Sequence, residues 1–223
     1  MRFLKTSPGE YYHIYNRGAF KQNLFKDSRD YARFLFYILY GQSPVLFNHV
    51  TRLVKTFNAS EGFAVPPAET NDVIQNRGVE LTAFCVMPNH YHLVVKEIQE
   101  GGIAYYLQRI GTGYTKYFNT KYETSGRIFE SAYKARHVGD NNYLLYLSTY
   151  IHRNPRELKQ WKDKEFHYPW SSLQDFTEGN RWGGLLMSDI IADQFDTTSN
   201  SNYKDFVKTS TAKILKKELG ELL

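Results

Sequence analysis

A β-hairpin is written into residues 79–97, and the rest of the fold has to be built around it. VELTAFCVM is rich in strand formers, Pro88-Asn89 is a turn signal, and HYHLVVKE follows. The second arm is apolar at Leu93, Val94 and Val95. That makes it a central, rigid strand, suited to holding side chains in fixed positions.

Other elements fall into place on either side. Residues 11–17, YYHIYNR, predict a first strand ended by Gly18, and SAYKARHV predicts a fourth. Asp27 or Ser28 caps a helix over RDYARFLFYILYG, with Gly41 as its stop. IAYYLQRIGTGYTKYFNTKY predicts a long helix in spite of two internal glycines. Asp140 or Asn141 caps NYLLYLSTYIHRNP, which must stop near Pro155. The order β-α-β-β-α-β-α predicts an α+β fold of the ferredoxin-like, split βαβ type: an antiparallel sheet with helices on one face. Residues 42–75, with Pro44, Gly62, Pro66 and Pro67, predict a long inserted loop with local helix near 46–56. Past about residue 176, LLMSDIIADQF predicts helix, DTTSNSN a polar linker, and YKDFVKTSTAKILKKELGELL a terminal amphipathic helix. The organisation is therefore a domain over 1–176 with an insert at 42–75, and a helical C-terminal extension over 177–223.

Composition narrows the class of function. The chain of 223 residues has no apolar run near the ~20 residues that cross a bilayer, and MRFLKTSPGEYYHIYNRG holds no apolar stretch of signal-peptide length, so no signal peptide is expected. Cys85 is the only cysteine, so an intrachain disulfide is excluded and a reducing cytoplasm is expected. The net charge of +5 favours polyanionic partners, and 18 Tyr with 15 Phe supply rings that can stack on unpaired bases. Residues 101–160 carry nine Lys and Arg against four Asp and Glu, an excess equal to that of the whole chain. A nucleic acid is expected over that segment, if the basic face is more than a solvated one.

Two clusters carry chemistry. His90 and His92 are two apart on a strand, so both rings leave one face and Tyr91 the other. Neighbouring imidazoles on one face can share a divalent ion, although a surface or hydrogen-bonded pair has the same spacing. Tyr150 and Asn154 are at i and i+4, neighbours on one helical face. An amide oxygen can complete a hard-metal site, and a phenol beside it can attack an electrophile. His152 lies about 200° around the helix from Tyr150 and faces elsewhere. Spacing alone leaves another reading open, since Tyr143, Tyr146 and Tyr150 also fit a core stripe and Asn154 a helix cap.

The motifs PNHYHLVV, GTGYTKYFNTKYETSGRIFESAYKA and YIHRNP, with YHIYNRG before and YPWSSL after, resemble the single-tyrosine HUH transposases, specifically the REP-associated tyrosine transposase branch. The resemblance covers roughly residues 10–176. It implies a metal site on His90, His92 and Asn154, Mg²⁺ or Mn²⁺ as the metal, and Tyr150 as the catalytic nucleophile. Some members of the family have Gln where this chain has Asn154, so the amide here has a shorter reach. The substrate implied is single-stranded DNA bearing hairpins, cut and rejoined through a 5′-phosphotyrosine. Arg17, Lys21, Arg127, Lys134 and Arg136 are candidate DNA-binding residues. The broader family implies dimers that exchange the tyrosine helix; the REP-associated branch implies monomers. Two other functions compete: a non-catalytic hairpin-binding protein, and a hydrolase that activates water in place of tyrosine.

Overall fold

The structure is a computed structural model that describes residues 5–195 and 202–220. Its strands are β1 (Tyr11–Arg17), β2 (Val79–Met87), β3 (His90–Glu97) and β4 (Lys134–Val138). They form one antiparallel sheet in the order β2-β3-β1-β4. The expected hairpin is β2–β3, and β3 is central. Directly opposed residues share a face, so the register assigns every side chain. Tyr15 opposes His92 and Lys134, Arg17 opposes His90, and His13 opposes Arg136. These residues occupy one face; Tyr12, Ile14, Tyr91 and Leu93 occupy the other.

Helix α1 (Ser28–Tyr40) begins at Asp27, whose side chain accepts from the backbone N–H groups of Arg29 and Asp30. The insert follows. The helix expected near 46–56 is α2 (Val50–Val54). The remainder is not a plain loop, because α3 (Pro67–Gln75) lies within it. Pro66-Pro67 reads as a breaker, but a proline in the first helical turn gives up an N–H that has no partner there anyway. The insert is fastened to the domain by packing of Phe47 and Phe63 on Phe36, and by Arg109, which donates to the carbonyls of Ser43 and Val45.

Helix α4 (Gly102–Tyr122) is continuous through both glycines. A Cβ on Gly113 would sit 3.3 Å from the Tyr37 ring, so this glycine lets α1 and α4 approach closely. Both helices cover the Tyr91 face; the Phe34 and Tyr91 ring centroids are 4.9 Å apart. Helix α5 (Asn141–Arg153), capped by Asp140, lies on the opposite face. That face is apolar at Ala83, Cys85 and Val94, all fully buried, and it too must be covered.

The C-terminal part is more broken than expected. Helix α6 (Leu173–Thr177) is followed by turns and a 3₁₀ segment, Gly183–Leu185, after which the Met187 N–H bonds to the Leu81 carbonyl at 2.8 Å. Only α7 (Asp189–Ala192) is α-helical where 185–195 was expected. The terminal helix is two, α8 (Tyr203–Thr209) and α9 (Ala212–Leu219). Ser210 turns its hydroxyl back onto the Phe206 carbonyl, and Thr211 accepts from the Ile214 N–H as a new cap. Serine and threonine here compete with the helix for its own backbone. Of the expected linker, residues 196–201 lie outside the described residues, as do 221–223. Among the described residues no helix is long and apolar enough to cross a membrane.

A candidate metal and nucleophile centre

The sheet alternation and the start of the turn after α5 bring four expected residues together. The His90 and His92 rings leave one face with centroids 5.2 Å apart, while Tyr91 is buried against Phe34 on the other. From α5, the Tyr150 ring meets His92 edge-on at 5.5 Å. The Asn154 side-chain oxygen lies 3.3 Å from His90 Nε2, and its amide nitrogen donates to the Tyr150 carbonyl at 2.9 Å. That second bond fixes which amide atom faces the imidazole. His152 faces away, as expected: its nitrogens meet the Tyr203 hydroxyl at 2.7 Å and the Ser172 hydroxyl at 2.8 Å.

Protonation follows from burial. Burial holds His90 below the usual imidazole range, and holds His92 well below it with help from His13 and His90. Neutral rings keep a lone pair for a metal. His90 Nδ1 lies 2.7 Å from the Asn89 side-chain oxygen and Nε2 3.3 Å from that of Asn154; a neutral ring donates to only one, and a proton on Nδ1, the closer contact, leaves the Nε2 lone pair for a metal. His92 Nδ1 lies 2.9 Å from His13 Nε2, and His92 Nε2 is buried with no hydrogen-bond partner. Two imidazole nitrogens and one amide oxygen, with His92 Nε2 buried and partnerless, make a donor set that fits a divalent cation.

A cavity of about 410 Å³ opens onto this centre. Its walls include Tyr15, Arg17, Lys21, His90, His92, Lys134 and Glu157, whereas Tyr150 and Asn154 approach the imidazoles from the α5 side. Burial, and then the charge of Glu157, push the half-buried Tyr150 phenol above its ordinary pKa. Three contributors were not read from the sequence. His13 and Tyr15 were invisible because their roles depend on the β1–β3 register. The Tyr15 ring stacks on His13 at 4.8 Å and on His92 at 5.8 Å. Glu157 sits in the 3₁₀ turn Asn154–Glu157, whose path no periodicity announces.

The expected DNA-binding residues do not form one set. Lys21 and Lys134 are exposed on the cavity wall, and Lys134 stands over the Tyr15 ring. Arg17 is on the same wall but pairs with Glu130. Arg127 is exposed at an adjoining recess, and Arg136 stands over the Tyr143 ring. Elsewhere in 101–160, several charges serve the fold: Arg109 holds the insert, Lys121 pairs with Asp27 and Asp30, Arg153 donates to the Val207 carbonyl, and Arg156 pairs with Glu165. The charge excess therefore overstates the surface open to DNA.

Residues 68–154 match the family model described as IS200-like transposase. No curated protein matches in sequence. Among solved structures, a REP-associated tyrosine transposase bound to a REP hairpin superposes with a TM-score of 0.52 at 14% identity, covering 80% of this chain and 84% of that one. At that identity the likeness establishes the shared fold. The stretch from the insert's last helix through β2, β3 and the whole of α5 is thus similar to the IS200-like transposases, the kind of resemblance its motifs carry.

Proposed function

We propose that this protein cuts and rejoins hairpin-bearing single-stranded DNA, with Tyr150 as nucleophile beside a divalent cation, Mg²⁺ or Mn²⁺. The observation that carries the reading is convergence: an imidazole pair from β3, an amide oxygen from the turn after α5 and a phenol from α5 meet within ring-contact distance. Binding alone requires none of that arrangement.

His90, His92 and Asn154 would hold the cation. Once bound, it would neutralise a non-bridging phosphate oxygen and orient the phosphorus. With His13 Nε2 accepting the His92 Nδ1–H, Nε2 of His92 would keep a lone pair with which to hold the cation. The Tyr150 oxygen attacks phosphorus and the bond to the 3′ oxygen breaks, giving a 5′-phosphotyrosine and a free 3′-OH. The phenolic proton must leave; Glu157, which lines the cavity of His90 and His92 and whose charge reaches Tyr150, is the carboxylate candidate to receive it. Because the ester keeps the bond energy, the reverse attack by a 3′-OH rejoins the strand without ATP. Helices α8 and α9 pack on α5 of their own chain, which supports a tyrosine acting in cis in a monomer, with 1–176 as the catalytic domain and 177–223 as a brace.

The test is a covalent adduct. Wild-type protein is incubated with a hairpin-bearing single strand and Mn²⁺, then denatured. A protein–DNA adduct is expected that disappears in Tyr150→Phe; equal adduct in the variant rejects Tyr150. Multiple turnover without any adduct points to water as the nucleophile, and binding indifferent to metal without cleavage points to a hairpin-binding protein.

A further inference from the structure

We propose that Phe20 is a stacking platform for an unpaired nucleobase of the strand handled at the neighbouring centre, a role that rests on the DNA-processing reading above. Phe20 is 96% exposed, the most exposed large apolar side chain among the described residues. Its backbone is left-handed, at φ 54° and ψ 26°, and Lys21 follows at φ 60°. Consecutive non-glycine residues in that region are rare, and such strain persists where the surroundings overdetermine it, typically at ligand clamps.

The surroundings here do overdetermine it. The Gly18 N–H bonds to the Asn89 carbonyl at 2.7 Å and the Ala19 N–H to the Ile128 carbonyl at 2.8 Å. The Lys21 and Gln22 N–H groups close back on Gly18 and Ala19. The turn is so tight that a Cβ on Gly18 would lie 2.2 Å from the Gln22 carbonyl oxygen. Ala19 is buried as the anchor, and the phenyl ring beside it is held out in water. A loop with no function for that ring gains nothing from displaying it.

Position and charge identify the occupant. Phe20 borders a recess of about 290 Å³ with Arg17, Lys21, Arg127 and Glu130. Arg17, Lys21 and Glu130 also line the cavity of His90 and His92, so recess and cavity adjoin. Asn89, which receives the Gly18 bond, directly precedes His90. An apolar ring among cations, next to a phosphate-handling centre, matches a single strand: cations follow the phosphates and the ring takes a base. The remaining strongly exposed apolar residues do not share this setting; Leu46 and Tyr105 line a separate groove beside the insert.

The experiment uses the full chain carrying Tyr150→Phe, in chelator, so that binding is read without cleavage. The probe is a single strand with 2-aminopurine placed next to the foot of a hairpin. Stacking on Phe20 quenches its fluorescence. Phe20→Ala should abolish the quenching and weaken binding about 5- to 150-fold, the worth of one base–ring stack. Phe20→Trp should retain both, and Phe20→Leu should not. Phe20→Gly should also lose binding while melting at a higher temperature, because glycine accepts the left-handed backbone. Parent-level binding by the Ala and Gly variants overturns the proposal; if wild-type protein still forms its Tyr150 adduct, this proposal alone falls. A parent that binds no single strand overturns both readings.

Discussion

A free phenol, with a pKa near 10, is a weak nucleophile at neutral pH, and Tyr150 starts from a worse position. Burial comes first and the Glu157 charge second in raising its pKa. A neighbouring negative charge disfavours the phenolate, so Glu157→Gln should lower the Tyr150 pKa, which spectrophotometric titration of the metal-free protein can follow. If Glu157 also receives the proton, adduct formation slows in the same variant although the phenol has become more acidic. An unchanged titration would show that Glu157 does not act on Tyr150. Asn154→Ala should weaken Mn²⁺ binding by about tenfold or more in a titration, because it removes the oxygen that faces His90 Nε2. Spacing, i+2 on a strand or i+4 on a helix, made legible only which face His90 shares with His92 and Tyr150 with Asn154; that the two pairs belong to one site was legible through the family resemblance alone. His13 and Glu157 were not, since their positions come from strand register and from a turn beyond Pro155.

Position at the residue scale is inherited from α5, and two devices hold that helix. Asp140 accepts the Tyr143 N–H at 2.7 Å at its start. Along its outer side Tyr203 donates to Ser148 at 2.9 Å and meets His152 at 2.7 Å, while Phe206 packs on Tyr146 at 5.2 Å. Asp140→Ala should lower stability by about 0.5–2 kcal/mol in denaturant titration, the usual worth of an N-cap. Tyr203→Phe keeps the ring but strips buried His152 and Ser148 of a partner, and should cost about 1–3 kcal/mol. A loss in adduct rate beyond the loss of folded protein would show that α8 positions the tyrosine as well as stabilising it. The caps and the hairpin could be read locally, since they are properties of a few adjacent residues. The breaks at Met187 and Ser210 could not: one depends on pairing with Leu81 over a hundred residues away, the other on hydroxyls that outcompete a sound helical pattern.

For the whole molecule, the net +5 charge and the charge that the proposed DNA strand would meet are different quantities. Each phosphate neutralised on a single strand contributes about −0.7 to the slope of log K against log salt. If all nine basic residues of 101–160 met phosphates, the slope would approach about −6. The structure commits Arg109, Lys121, Arg153 and Arg156 to carbonyls and carboxylates of the fold; the exposed cations at the cavity and its recess, apart from Arg17, are Arg127 and Lys134 of that segment and Lys21 from outside it. The expected slope is therefore about −2. Arg17 is the informative case, because it is held by Glu130 with both side chains nearly half exposed. An ion pair that exposed is worth little, so a phosphate can compete for the guanidinium, but Glu130 then remains to repel the strand. Glu130→Gln should thus tighten binding and steepen the slope by about 0.7, whereas Lys134→Gln should flatten it by the same amount. A slope near −6, or weaker binding on loss of the Glu130 charge, would place the strand away from this cavity.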